Sequence, residues 1–103
     1  MQRMGFILRI RPGTMDEYRR RHASVYEDLL EAFKRYGIHT YSIFMHETTL
    51  FAYMEVEDFD DAMAHLAEDP ANQRWQAFMS DLLVLDQTGK SMHQIPEVFH
   101  FES

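Results

Sequence analysis

The sequence has no cysteine and only four glycines and three prolines among its 103 residues. Without cysteine there are no disulfides, no thiolate nucleophile and no cysteine-ligated zinc, and a cytoplasmic protein is expected. No apolar run reaches the roughly 18 residues of a membrane span, and the N-terminus does not read as a leader peptide, so we expect no membrane partner. The length predicts a single domain over residues 1–103.

Positive charge is also scarce, with 10 Lys and Arg against 17 Asp and Glu and a formal net charge of -7. Nucleic acids and anionic membranes are bound through clustered positive charge, so the composition argues against both partners. The one basic run is Arg19-Arg20-Arg21. On a helix its three side chains point in different directions.

The first half of the chain predicts a strand, a helix and two further strands. Alternation of Phe6, Leu8 and Ile10 indicates a half-buried strand over residues 4–11. Thr14 and Glu17 have the form of a capping box, which predicts one helix from near Met15 to the stop at Gly37. Alternating runs over 39–45 and 50–57, joined by the short polar segment 46–49, predict a hairpin.

The second half predicts two helices and a closing strand. Asp58 suits the N-cap of a helix that runs to about Ala67. Asp69-Pro70 has the cap-plus-first-turn form that opens another helix. A loop around Gly89 then leads to a last strand over Val98–Phe101.

With the two adjacent helices of the second half taken as one helical segment, the order is strand, helix, strand, strand, helix, strand, which is the split βαβ order. It predicts an α+β, ferredoxin-like fold in which a four-stranded antiparallel sheet carries its helices on one face. The other face needs a cover because the strands are apolar on both sides. We therefore predict a homodimer, a dimeric α/β barrel in which two sheets face one another.

Most catalytic signatures are absent. The sequence has no phosphate loop, no dinucleotide fingerprint and no nucleophile elbow. His46-Glu47 resembles the start of a zinc-protease helix, but Leu50 stands where the second histidine is needed. The remaining histidines lack close metal-ligand spacing, so no metal site is predicted.

Tyr18 and His22 lie four residues apart and therefore on one helix face. A phenol beside a group that titrates near neutrality suits reversible proton transfer, although spacing alone favours a core histidine. Tyr41 and Trp75 are amphipathic and lie on elements that flank a cleft between sheet and helices. Aromatic faces with a few directed hydroxyls suit a sugar pocket.

Four segments together resemble the L-rhamnose mutarotase family in order and spacing, and the resemblance covers nearly the whole chain. They are Asp16-Glu17-Tyr18-Arg19-Arg20-Arg21-His22, Tyr41-Ser42-Ile43, Asn72-Gln73-Arg74-Trp75 and Glu97-Val98-Phe99-His100. The resemblance implies a ferredoxin-like dimer that interconverts the anomers of L-rhamnose without a cofactor. It further implies that His22 is the proton donor and that Tyr18, Tyr41 and Trp75 bind the monosaccharide.

Two departures from the family pattern make a related deoxy-sugar an alternative substrate. The family usually has Trp-Trp where this chain has Trp75-Gln76, so Gln76 is expected to contact the sugar differently. The loop before the last strand also differs at residues 86–91. Two other functions share the predicted fold: a cofactor-independent monooxygenase-like enzyme, and a non-catalytic dimer that binds a small ligand.

Overall fold

The computed structural model describes all residues from Met1 to Ser103 and has eight elements. In chain order these are β1 (Gln2–Arg9), α1 (Met15–His22), α2 (Glu27–Arg35), β2 (Ile38–His46), β3 (Thr49–Val56), α3 (Phe59–Glu68), α4 (Pro70–Met79) and β4 (Met92–Ile95). The strands form one sheet in the order β2-β3-β1-β4 with all pairs antiparallel. This confirms the predicted ferredoxin-like α+β architecture.

The alternating strands separate the sheet into two faces, as predicted. On β3, Leu50, Ala52, Met54 and Val56 are buried and belong to the core, which the helices cover. Their neighbours on the outer face are less covered, and Phe51 is 44% exposed. The register places Phe51 beside Phe44 of β2, which is 63% exposed. The outer face therefore carries an uncovered apolar patch.

The predicted long helix over 15–36 is wrong, because the chain breaks between α1 and α2. Ser24 and Val25 are weak helix formers, and the backbone of Tyr26 is extended, with φ -57° and ψ 132°. The carbonyl of Tyr26 then accepts from the amides of Leu29 and Leu30, which begins α2 as a separate helix. At this break the Tyr26 ring packs against Trp75 in an edge-to-face arrangement, with the ring centroids 5.1 Å apart.

The predicted capping box is also wrong. The hydroxyl of Thr14 donates to the carbonyl of Arg11 at 2.6 Å and caps no amide of α1. The carboxylate of Glu17 accepts from Arg20 and Arg21 instead. By contrast, Asp58 and Asp69 do cap α3 and α4 through their side chains.

The last strand lies earlier than predicted. β4 is Met92–Ile95 and pairs with β1, within the segment expected to be a loop. Pro96 has no N–H to donate to the ladder, so the strand ends before it. Val98–Phe101 has no secondary structure, and Val98 and Phe99 are 92% and 81% exposed.

Candidate active site

A cavity of about 1080 Å³ lies between the sheet and the helices. Its lining includes all five residues that the sequence analysis selected: Tyr18, His22, Tyr41, Trp75 and Gln76. These residues come from α1, β2 and α4, and only the fold brings them together. The cavity is lined mostly by apolar side chains, with a few polar groups among them, as in ligand sites generally.

Helix α1 stacks the rings of Tyr18 and His22. Their centroids are 4.2 Å apart, with 24° between the ring planes. This follows from the i, i+4 spacing, which places the two side chains on one helix face. Tyr18 is buried and His22 is partly buried.

The protonation of the His22 ring follows from its hydrogen bond. Nδ1 lies 3.1 Å from the backbone carbonyl oxygen of Tyr18. A carbonyl only accepts, so Nδ1 carries a proton and, in the neutral ring, Nε2 keeps its lone pair. Burial lowers the pKa of His22 below its ordinary value of 6.5, and the bond to the Tyr18 carbonyl opposes that shift without reversing it. Near neutral pH the imidazole is therefore uncharged and can accept a proton at Nε2.

Helix α4 brings Trp75 to the same ring. The carboxylate of Asp69 accepts from the amides of Ala71 and Asn72 and fixes the start of this helix. Trp75 is 7% exposed, and its centroid lies 5.2 Å from that of His22 at an interplanar angle of 89°. Trp75 is thus both a core residue and a wall of the cavity.

Two phenols complete the polar part of the lining. Burial raises the pKa of both Tyr18 and Tyr41, and the nearby Tyr41 raises that of Tyr18 further. No hydrogen bond contributes to either pKa shift, so neither hydroxyl has a partner within the protein. Every fully buried side-chain polar atom does have a partner, so these two hydroxyls are not fully buried and are open to the cavity that they line. Both remain neutral near pH 7 and can donate to a ligand oxygen.

Gln76 is exposed at the cavity and is coupled to Asn72, one turn earlier on α4. The Nδ2 of Asn72 donates to the carbonyl of Leu66 at 2.9 Å, and its Oδ1 accepts from Gln76 Nε2 at 3.4 Å. This leaves Gln76 Oε1 and one N–H for a ligand. Asn72 also lines the cavity, and sequence reasoning did not select it as a site residue. Its i, i+4 spacing from Gln76 is the signal that could have found it.

Of the other histidines, only His39 lines the cavity. His39, His65, His93 and His100 each lie near one carboxylate, at 2.7–3.5 Å. No three histidine or carboxylate side chains are close enough together to hold a metal ion. None of the helices is long and apolar enough to span a lipid bilayer.

The family model for L-rhamnose mutarotase matches residues 3–101. The chain belongs to the L-rhamnose mutarotase family. The L-rhamnose mutarotase of Oceanobacillus iheyensis is 34% identical, over 99% of this chain and 100% of the relative. That of Burkholderia orbicola is 37% identical with the same coverage. Membership places the chain among the isomerases that act on sugar anomers.

Solved structures agree with this assignment. The L-rhamnose mutarotase FA22100 from Formosa agariphila superposes with a TM-score of 0.85 at 27% identity, covering 99% of this chain and 100% of that one. Tetracenomycin F2 cyclase from Streptomyces glaucescens reaches a TM-score of 0.66 at 21% identity, covering 100% of this chain and 98% of that one. At that identity the cyclase shows a shared fold and nothing about activity.

Proposed function

We propose that this chain interconverts the α and β anomers of L-rhamnose, or of a related deoxy-sugar, with His22 as the acid–base group and without a cofactor. Family membership supports the reaction class. The observation that carries the assignment of His22 is its geometry: Nδ1–H is held by the Tyr18 carbonyl, while the ring lines a cavity with two open phenols and a tryptophan. The curated relatives are named for L-rhamnose, which supports this sugar as the substrate.

Anomer exchange needs one proton moved between two oxygens on the same carbon. The anomeric hydroxyl loses its proton, the bond from C1 to the ring oxygen breaks, and the ring oxygen takes up a proton. Nε2 of neutral His22 accepts the first proton, and the resulting imidazolium supplies the second. The open aldehyde rotates about the C1–C2 bond and recloses on its other face by the reverse steps. No electrons are gained or lost, so no cofactor is required.

The two tyrosines act as hydrogen-bond donors in this scheme. Because burial raises the pKa of Tyr18, its phenolate is disfavoured, and its hydroxyl stabilises charge on a sugar oxygen without giving up its proton. Tyr41 fixes a second hydroxyl from the sheet side. Trp75 packs against the apolar C–H face of the sugar.

Gln76 alters one wall of this pocket. An amide offers a directed donor and acceptor in place of an aromatic plate, and Asn72 orients that amide. Binding to this wall therefore depends on a hydrogen bond to a sugar hydroxyl more than on stacking. A related deoxy-sugar stays an alternative substrate for this reason.

We also propose that the protein is a homodimer in the cytoplasm. Phe44 and Phe51 form an exposed apolar patch on the outer face of the sheet, and Phe99 and Phe101 of the tail are 81% and 72% exposed. A second copy would cover this face through a self-complementary contact. The lack of cysteine suits a reducing compartment.

Saturation-transfer NMR on equilibrated L-rhamnose tests the role of His22. The protein should accelerate exchange between the anomeric protons, and His22→Ala should lose about 10²–10⁴-fold of that acceleration. His65→Ala is the matched control, since His65 is exposed on α3 and does not line the cavity. Undiminished exchange in folded His22→Ala would remove His22 from the mechanism. Sugar binding without any acceleration by the wild type would favour a non-catalytic binding protein.

A further inference from the structure

Helix α1 carries Tyr18 and His22. Arg21, the residue before His22, connects this helix to α4. Arg21 Nη1 donates to the backbone carbonyl of Phe78 at 2.7 Å and to Asp81 Oδ1 at 2.8 Å. Its Nη2 donates to Asp81 Oδ2 at 3.2 Å, which makes the pair with Asp81 bidentate. The guanidinium carbon also lies 4.5 Å from the centroid of the Phe78 ring.

The environment of Arg21 differs sharply from that of its neighbours in the basic run. The side chain of Arg21 is 12% exposed, against 75% for Arg20 and 65% for Arg19. Arg19 and Arg20 pair only with carboxylates of their own helix. An exposed pair of that kind adds little to stability, whereas a partly buried, bidentate arginine constrains geometry. Arg21 alone of the three reaches another element.

Phe78 lies one turn after Trp75 on α4. Arg21 therefore ties the backbone that bears His22 to the helix that bears the aromatic ring against which His22 packs. Because the chain breaks directly after α1, no continuous helix into α2 holds the orientation of α1. The hydrogen bonds of Arg21 to Phe78 and Asp81 join α1 to the C-terminal end of α4 instead.

We propose that Arg21 is a positioning residue that holds the His22 ring in place against Trp75. The inference rests on the proposed role of His22. A displacement of about 1 Å at a catalytic group can cost about 10²-fold in rate. The charge of Arg21 is already neutralised by Asp81 and Glu17, so its effect on His22 is one of placement.

Loss of the Arg21 hydrogen bonds to α4 should change the pKa of His22. Other titratable and charged groups near the ring are Tyr18 on the same helix and, along the cavity, Arg19, Lys34, His39 and Tyr41. Lys34, His39 and Tyr41 lie on other elements and should keep their places when Arg21 is replaced, whereas Tyr18 and Arg19 move with α1. A ring released from its contact with Trp75 gains solvent, so the desolvation that lowers its pKa decreases.

The experiment compares Arg21→Gln with Arg20→Gln, a matched change one residue away. We expect Arg21→Gln to lower kcat by about tenfold or more with a smaller change in KM. The pKa of His22, followed by NMR of its imidazole signals, should rise towards 6.5. Arg20→Gln should leave kcat within about twofold of the wild type and the His22 pKa unshifted. Arg21→Lys, which keeps the charge but not the planar fork, should behave like Arg21→Gln.

Wild-type kcat and an unshifted His22 pKa in folded Arg21→Gln would overturn the proposal, as would equal losses in the two glutamine variants. Rescue by Arg21→Lys would also overturn it, since charge and not geometry would then matter. If Arg21→Gln does not fold, Asp81→Asn removes the bidentate acceptor and should give the same direction of change. The His22 signal is readable without turnover, so full activity in His22→Ala would defeat the proposed function while leaving the placement of the ring testable.

Discussion

The ring of His22 meets the edge of Trp75 at 5.2 Å and nearly a right angle, although the two residues belong to the first and last helices of the chain. This contact joins the group proposed to move protons to the group proposed to bind the sugar face. It also lowers the exposure of the imidazole, and the resulting desolvation depresses its pKa. The chemistry and the packing of the site therefore depend on one another.

The lowered pKa of His22 predicts the pH dependence of the reaction. The active form is the neutral ring, so kcat/KM should rise with pH through the His22 pKa and level off above it. Because that pKa is below 6.5, activity at pH 6.5 should exceed half of the plateau value. The check is the anomer exchange rate against pH, with the spontaneous rate subtracted. Activity that increases as pH falls below 6.5 would instead require a protonated His22.

Replacing Gln76 by Trp should tighten binding of L-rhamnose. An aromatic plate adds contact with the C–H face of the sugar, so KM should fall by about threefold to tenfold. The value of kcat should change little, because Gln76 bonds to Asn72 and makes no hydrogen bond to His22. Gln76→Leu separates stacking from the simple loss of the amide. Equal KM values in all three proteins would show that residue 76 does not reach the sugar.

Asp69 should be a key carboxylate for stability. It is 6% exposed, caps α4, and accepts from the hydroxyl of Tyr36 at 2.7 Å. Asp69→Ala should lower the Tm by about 4–8 °C. Asp58→Ala removes the more exposed cap of α3 and should lower the Tm by a smaller amount. Comparable losses in the two variants would show that the Tyr36 bond adds nothing.

The same residue should make stability depend on pH. The hydrogen bond from Tyr36 is the main cause that lowers the pKa of Asp69 below 3.8. A group with a depressed folded pKa stabilises the fold above its unfolded pKa, and that contribution is lost as pH falls through the folded pKa. Thermal unfolding of the wild type and of Asp69→Asn should therefore converge in acid. A constant difference between the two at all pH values would contradict this.

The outer face of the sheet should be the dimer contact. Phe44→Ser with Phe51→Ser should give a monomer in sedimentation experiments, because the two side chains form the centre of the exposed patch. Leu85→Ser is the control, since Leu85 is 58% exposed outside the sheet. A wild type that sediments as a monomer, or a dimeric double variant, would contradict the proposal.

Local signals predicted the elements whose causes are local. The Asp69-Pro70 pair opens α4 as expected, since both its cap and its first turn depend on adjacent residues. The alternation of β2 and β3 likewise predicted which side chains share a face of the sheet. The break after His22 could not be predicted from the periodicity, because the apolar spacing continues through the break and Tyr26 packs on Trp75, which is remote in sequence. The position of β4 depends on pairing with β1 from the other end of the chain.

For the site, residue types and the family resemblance selected five side chains that line one cavity. Their roles stay predictions. The connection through Arg21 was not found, because its partners Phe78 and Asp81 are remote in sequence and carry no motif. Spacing shows which side chains share a helix face but not which of them reaches a second helix.

The partner of Nδ1 on His22 is an uncharged main-chain oxygen. A carboxylate in that position would favour the imidazolium and slow the release of the proton that Nε2 has accepted. A neutral carbonyl fixes the tautomer and raises the pKa of the ring only enough to offset part of the effect of burial. Such a ring can accept and donate a proton with similar ease, which suits a reversible reaction whose two directions pass through the same open-chain aldehyde.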